Sequence, residues 1–420
     1  MISSEYQKTI LPNGLTIVSE KIPTVRSVTV GVWIKAGSRH ESRENSGVAH
    51  FLEHMLFKGT EKRSAREIAR SLESVGGYLN AYTSKEHTCY YAEVLDRHLP
   101  RAIEVLSDML CHSVFSPKEM AKEREVILDE IDSVEDTPDD LIQEIFVEKL
   151  YPDNTLGLPI LGIKESVSAL TRDQLVEMFS RSYTAENIVV AAAGNLDHHR
   201  LVELCEALFD LPEGNTLIPA ESPQTIGKGE LRIERPVNQT HICLGTAALP
   251  YTHHRKYDLL LLNTLLGVGM GSRLFQNIRE RYGLAYSIYS FLDFFRDNGL
   301  IGIYLGTDKN KTDKALNLLE REIQRLKTKP VSQKELKQVK TQVKGNLLLG
   351  LESTARRMSR LAKMEIYFQK FYTVDEIIAE INKVSQESLF ELVNQIFDNR
   401  ELLQVMFIPQ EKHLYSMSVI

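Results

Sequence analysis

His50-Phe51-Leu52-Glu53-His54 is the stretch on which the reading of this 420-residue chain turns. Helical residues four apart share a face, so His50 and His54 can reach one ion if the segment is a helix. Ser46 stands where an N-cap is expected for a helix starting near Gly47. Val48, Phe51, Leu52 and Met55 form an apolar stripe that would pack this helix onto its domain. His50, Glu53, His54 and Phe57 are then left on the other face.

Two imidazoles and one carboxylate suit Zn²⁺, because they leave one tetrahedral position open for water and the ion lowers that water's pKa to roughly 7. The H-x-x-E-H order is the inverted form of the zinc-peptidase motif. Glu53, one residue before the second histidine, lies close to such an ion without ligating it, which suits a general base. The third ligand must come from elsewhere in the fold. Ser116-Pro117-Lys118-Glu119 reads as a capping box with proline at the first helical position, opening a helix through Glu123 and Glu130. These two acids are two turns apart and project from nearly the same face. Glu125, Asp129, Asp132 and Glu135 crowd the same helix, and spacing alone does not choose among them.

Around this pair of helices the chain reads as mixed α and β. Pro12-Asn13-Gly14 joins the alternating runs Tyr6 to Ile10 and Leu15 to Ser19 into a hairpin. Val28 to Ile34, Tyr78 to Val94 and Asn187 to Ala193 look extended, while residues 48–58, 63–75, 98–112, 117–135 and 172–182 carry helical periodicity. Pro212, Gly214, Pro219, Pro223, Gly227 and Gly229 interrupt any periodic stripe and mark a linker. The pattern then runs again. Ser116-Pro117-Lys118-Glu119-Met120 is similar to Ser332-Gln333-Lys334-Glu335-Leu336, and Asn80-Ala81-Tyr82-Thr83 to Leu284-Ala285-Tyr286-Ser287. The expected fold class is α+β: two structurally similar domains, each a mixed sheet packed with helices, facing each other across a cleft. The expected division is residues 1–210, a linker at 211–229, and 230–420.

The composition, 43% hydrophobic and 25% charged, is that of a globular protein with sizeable cores. A net charge of -7 argues against nucleic acid or an anionic membrane as the main partner. No apolar run is long enough to span a membrane, and Met1 to Lys8 lacks the order of a secretory signal. Cys89, Cys111, Cys205 and Cys243 lie far apart, which suggests buried thiols rather than a disulfide framework or a cysteine metal site. The adjacent pairs His198-His199 and His253-His254 do not converge as i, i+4 residues do and read as surface histidines. His87, in the Tyr78 to Val94 region, is given no role. Gly267-Val268-Gly269-Met270-Gly271 precedes no phosphate-binding lysine.

His50 to Thr60 (HFLEHMLFKGT), Leu79 to Ser84 (LNAYTS) and Glu123 to Glu130 (EREVILDE) together make the chain resemble the pitrilysin-type metallopeptidases, and among them the bacterial processing-peptidase-like proteins related to the mitochondrial processing peptidase beta subunit. The resemblance spans nearly the whole chain. It implies that His50, His54 and Glu130 ligate zinc, that Glu53 is the base activating the attacking water, and that Glu123 supports the site from behind. It further implies that Asn80, Ala81, Tyr82 and Thr83 form a sheet edge that pairs with an extended substrate, with Phe57 nearby. Arg279-Glu280-Arg281-Tyr282-Gly283-Leu284-Ala285-Tyr286 resembles the family's arginine-tyrosine element, so Arg279 and Tyr286 would hold or polarise the scissile carbonyl. The second half lacks a metal motif: Leu260-Leu261-Leu262-Asn263-Thr264 aligns with H-x-x-E-H, and Asn346 with Glu130. One zinc per chain is expected.

The function implied is a zinc metalloendopeptidase acting on short or unfolded polypeptides, cytoplasmic in a bacterium, working as a homodimer or with a related chain. Two alternatives remain at this stage. One is a structural subunit of the same fold that does no proteolysis; the other is an active subunit that needs a distinct inactive partner.

Overall fold

A computed structural model describes residues 5–214, 220–398 and 402–410. Residues 215–219 of the expected linker, with Pro219 among them, and residues 1–4 at the chain start lie outside the described residues. The first sheet opens with the expected hairpin, strands β1 (Glu5–Ile10) and β2 (Thr16–Lys21), paired in register from Glu5↔Lys21 to Ile10↔Thr16. Its turn needs Gly14, which has φ 91° and leaves no room for a Cβ beside Glu186. Strands β3 (Ser27–Ile34), β4 (Tyr78–Thr83), β5 (Thr88–Leu95) and β6 (Ile188–Gly194) complete it in the order β1-β2-β6-β3-β5-β4. The β2–β6 pair is parallel and the rest are antiparallel.

The second sheet consists of β7 (Gly229–Arg235), β8 (Thr240–Ala248), β9 (Ala285–Phe294), β10 (Gly299–Thr307) and β11 (Leu403–Pro409), ordered β7-β11-β8-β10-β9. Here β7–β11 is parallel and the other pairs are antiparallel. Without β1, the first sheet therefore has the second sheet's order and polarity strand for strand, which makes the sequence repeat a structural one. The expected helices also form, at Val48–Leu56, Ala65–Glu73, Leu99–His112, Pro117–Glu135 and Arg172–Ser182.

The linear division into residues 1–210 and 230–420 needs correction. The chain forms two compact units, the first from Met1–Ser133, Asp153–Ser222 and Lys344–Ile378, the second from Val134–Pro152, Pro223–Val343 and Ala379–Ile420. Each unit holds one helix from the other half of the sequence. Helix Thr354–Phe368 lies on β2, β3 and β6, and helix Pro138–Leu150 on β8 and β11. In each half this is the helix that follows the long one, so the exchange obeys the repeat.

The physical reason lies in the sheets. Nearly every residue of β3 and all of β6 are buried, so both faces need a cover. Met358, Leu361, Ala362 and Ile366 supply it over Val18, Trp33, Cys89, Val189, Ala191 and Ala193. Each large side chain so buried stabilises by roughly 1.5–3 kcal/mol. A Cβ on Gly31 would stand 2.6 Å from Met358 Sδ, and one on Gly245 in β8 would stand 2.9 Å from Phe146 of the other exchanged helix. Arg357 pairs with buried Glu20 at 2.6 Å, and Lys8 with Glu365 at 2.6 Å, fastening the helix to the first sheet.

Candidate metal centre

The H-x-x-E-H helix is held more elaborately than its sequence suggests. Ser46 does not cap it: the N-cap is Gly47, at φ 93°. The capping oxygens belong to Glu41, which accepts from the backbone N–H of Gly47 and of Ala49, each at 2.8 Å. Glu41 is buried, and desolvation pushes its carboxyl up to about 8 against the pull of those two N–H groups. Nothing in the local sequence marks this glutamate, because the contact spans a loop. The apolar stripe behaves as expected, with Val48, Phe51, Leu52 and Met55 buried in the first unit's core.

The acidic helix also departs from expectation at its start. Glu119 does not complete a capping box with Ser116; its carboxylate turns to Lys122 at 2.7 Å, where an exposed cation is nearer to hand. Farther along, Glu130 meets both imidazoles. His50 Nε2 lies 3.8 Å and His54 Nε2 3.7 Å from Glu130 Oε2. Among the described residues these three form a group whose ligand atoms all lie within 4.8 Å of one another.

The donor set fits Zn²⁺. Bonds of about 2.1 Å at tetrahedral angles would place neighbouring ligand atoms about 3.4 Å apart, a few tenths of an ångström from the two imidazole–carboxylate separations. Burial, aided by the neighbouring His54, lowers His50 to about 3, so its ring is neutral and offers a lone pair. Glu123 Oε2 lies 3.1 Å from His54 Nδ1, which leaves Nε2 of that ring facing Glu130. Glu125, Asp129, Asp132 and Glu135, which spacing left as alternatives, are not in the group.

Glu53 sits beside this group with a different set of contacts. Thr83 Oγ1 donates to its Oε2 at 2.5 Å. Desolvation raises the Glu53 pKa, and Thr83 and His54 counter it. A partly dehydrated carboxylate held in one orientation is a competent proton acceptor. Sequence reading placed Thr83 among residues contacting substrate and missed this bond; it missed Lys58 as well, whose Nζ lies 2.7 Å from Glu123 Oε1.

The segment Asn80 to Thr83 is part of β4, which is an edge strand as expected. Ala81 N–H is taken by Asn80 Oδ1 at 2.8 Å, and Asn80 Nδ2 donates to Tyr78 Oη at 2.7 Å. Tyr82 stands edge-on to Trp33 on the opposite face from Thr83. Phe57 is the helix's C-cap and, partly buried, packs against the core margin near Tyr90. Arg279 and Tyr286 belong to the second unit. Arg279 lies in a π-helical turn, Phe275–Glu280, with its guanidinium over the Phe275 ring, and Tyr286 is an exposed residue of β9.

One other histidine reading changes. His198 is half-buried, bonded to Thr9 Oγ1 at 2.9 Å and Ser19 Oγ at 2.8 Å, not a plain surface residue. His87 is buried against Trp33. All four cysteines are free thiols. Among the described residues no helix is long and apolar enough to cross a membrane.

Comparison with known proteins adds an independent line. A family model described as insulinase (peptidase family M16) matches residues 16–164, and one described as peptidase M16 inactive domain matches residues 169–343. The chain is 43% identical over 385 residues to a Bacillus subtilis protein called uncharacterized zinc protease YmxG, spanning 92% of this chain and 94% of that one. A Streptomyces coelicolor protein, also called an uncharacterized zinc protease, is 39% identical, spanning 95% of this chain and 89% of its own length. The fold matches the crystal structure of a protease from Helicobacter pylori with a TM-score of 0.89 at 21% identity, covering 97% of this chain and 100% of that chain.

Proposed function

The chain belongs to the M16 peptidase family, and on that premise we propose that it is a zinc metalloendopeptidase cleaving short or unfolded polypeptides. The observation that carries the reading is the meeting of His50, His54 and Glu130, two of them from one helix and the third from another, with Glu53 steadied alongside. A bound Zn²⁺ would supply positive charge and lower the pKa of a water in its open position to about 7.

The chain's own residues account for the rest. Glu53 takes a proton from the attacking water as its oxygen bonds to the scissile carbonyl carbon. When the C–N bond breaks, Glu53 returns that proton to the leaving amine. The open edge of β4 offers backbone groups to an extended peptide, whose carbonyl would take the Asn80 side chain's place on Ala81 N–H. Main-chain pairing of that kind reads conformation more than sequence, so specificity should be loose. Arg279 and Tyr286 enter this reading as donors to the scissile carbonyl on the family resemblance alone. A dimeric state, with an identical or a related chain, and a cytoplasmic location rest on that resemblance too.

The test is metal analysis of the purified chain together with cleavage of a peptide library, with and without chelator. We expect one zinc per chain and cleavage that chelator abolishes. A zinc-free preparation whose cleavage ignores chelator would sink the reading.

A further inference from the structure

Glu123 is almost fully buried and each of its oxygens has one partner: Oε2 lies 3.1 Å from His54 Nδ1, and Oε1 lies 2.7 Å from Lys58 Nζ. Lys58 follows the C-terminal end of the H-x-x-E-H helix, and its backbone N–H donates to Met55 O at 3.0 Å. His54 and Lys58 thus leave the same helix end one turn apart and grip the two ends of one carboxylate. His50 has no equivalent arrangement; its Nδ1 is buried without a hydrogen-bond partner among the described residues. Of the two imidazoles, His54 is the one whose tautomer a carboxylate dictates, by accepting from Nδ1–H and leaving the lone pair on Nε2.

A carboxylate held only by His54 could rotate about its last torsion, which is broad and roughly two-fold. Lys58 stops that rotation from the solvent side. We propose that Lys58 is a positioning residue of the metal site, acting through Glu123 to fix His54 as an Nε2 ligand and so strengthen the chain's hold on Zn²⁺. This rests on the zinc reading given under Proposed function. The rival account is a surface ion pair that merely ties the helices Val48–Leu56 and Pro117–Glu135 together.

The sign of one measurement separates the two. Lys58 is a cation near a cation site, so direct electrostatics alone predicts that its removal tightens zinc binding. Positioning predicts the reverse. In competition with a chromophoric chelator on the full chain, Lys58→Met should weaken Zn²⁺ affinity about tenfold, the low end for lost outer-shell support. Lys58→Arg, which keeps a charged donor, should recover most of it. In a Glu123→Gln background Lys58→Met should cause no further weakening, because its route to His54 is already gone.

Melting of the metal-free proteins accompanies each titration. An apo form destabilised by Lys58→Met with zinc affinity unchanged, or the same weakening in both backgrounds, overturns the proposal and leaves the zinc reading standing. A wild-type chain that takes up no zinc overturns both.

Discussion

The two sheets share a strand order, a parallel pair at the same place and an exchanged helix over the equivalent strands β3 and β6 or β8 and β11, yet their site helices do opposite things. After β3 comes Val48–Leu56, which carries His50, Glu53 and His54; after β8 comes Lys256–Gly267. In the second helix Leu261 and Leu262 are fully buried, and Asn263 and Thr264 are buried with them. Thr264 spends its hydroxyl on Leu260 O, within its own helix. The contact between site helix and edge strand differs as well. In the first unit Thr83 of β4 holds the Glu53 carboxylate at 2.5 Å; in the second, Ser290 of β9 donates to the Asn263 backbone carbonyl at 2.9 Å. The edge strand steadies a reactive group in one place and a helix in the other.

The largest expected effect tests whether chemistry belongs to the first helix alone. Glu53→Gln should retain zinc and lose turnover on the order of 10³-fold, since an amide accepts no proton. Asn263→Ala at the aligned position should leave kcat unchanged. Undiminished cleavage by the Glu53→Gln enzyme removes it as the base.

The equivalence of the exchanged helices comes next. Phe146→Ala and Met358→Ala each empty a well-packed site and should destabilise by about 2–5 kcal/mol in denaturant unfolding. A change below about 1 kcal/mol in either would mean that the two helices are not structural equals.

Thr83→Val should lower kcat about tenfold with KM and zinc affinity little changed, the loss of one hydrogen bond to a charged group. Ser290→Ala should touch stability only, by about 1 kcal/mol. A raised KM with normal kcat would instead make Thr83 a contact for the bound peptide.

The smallest effect concerns Glu41, for which the second unit offers no counterpart among the bonds described. Its carboxyl is raised to about 8, above the ordinary value of 4.5 that holds in the unfolded chain. Between those values the folded state binds the extra proton, so this group's stabilisation is complete below pH 4.5 and declines as pH rises through 8. Apo-protein melting should therefore fall less steeply from pH 5 to 8 in Glu41→Gln than in the wild type. Parallel slopes would show that Glu41 stays ionised at its helix end.

Local pattern fixed a good deal. Four-residue spacing put His50 and His54 on one helix face, alternation and Pro12-Asn13-Gly14 made the first hairpin, and the helix Pro117–Glu135 has the bounds that periodicity predicted. These features follow from contacts between near neighbours in sequence, which a period of 2 or 3.6 records directly. Seven acids on one helix illustrate the limit: their order shows which share a face, while the choice of Glu130 over Asp129 or Glu125 requires the His54 ring to lie alongside.

What the residues determined unaided was the nature of the chemistry, an imidazole pair with an acid between them, and the repetition of an α+β unit. Folding in three dimensions decided the remainder: which carboxylate meets the rings, that Glu41 rather than Ser46 ends the helix, that Lys58 and Thr83 steady its reactive groups, and that each sheet borrows a helix from the far half. Apart from Glu41, six and eight residues from the N–H groups it holds, such partners stand tens to hundreds of residues apart, as with Arg357 and Glu20. No local period encodes them, because they arise only when buried polar groups must find whichever donors and acceptors the packed chain brings near.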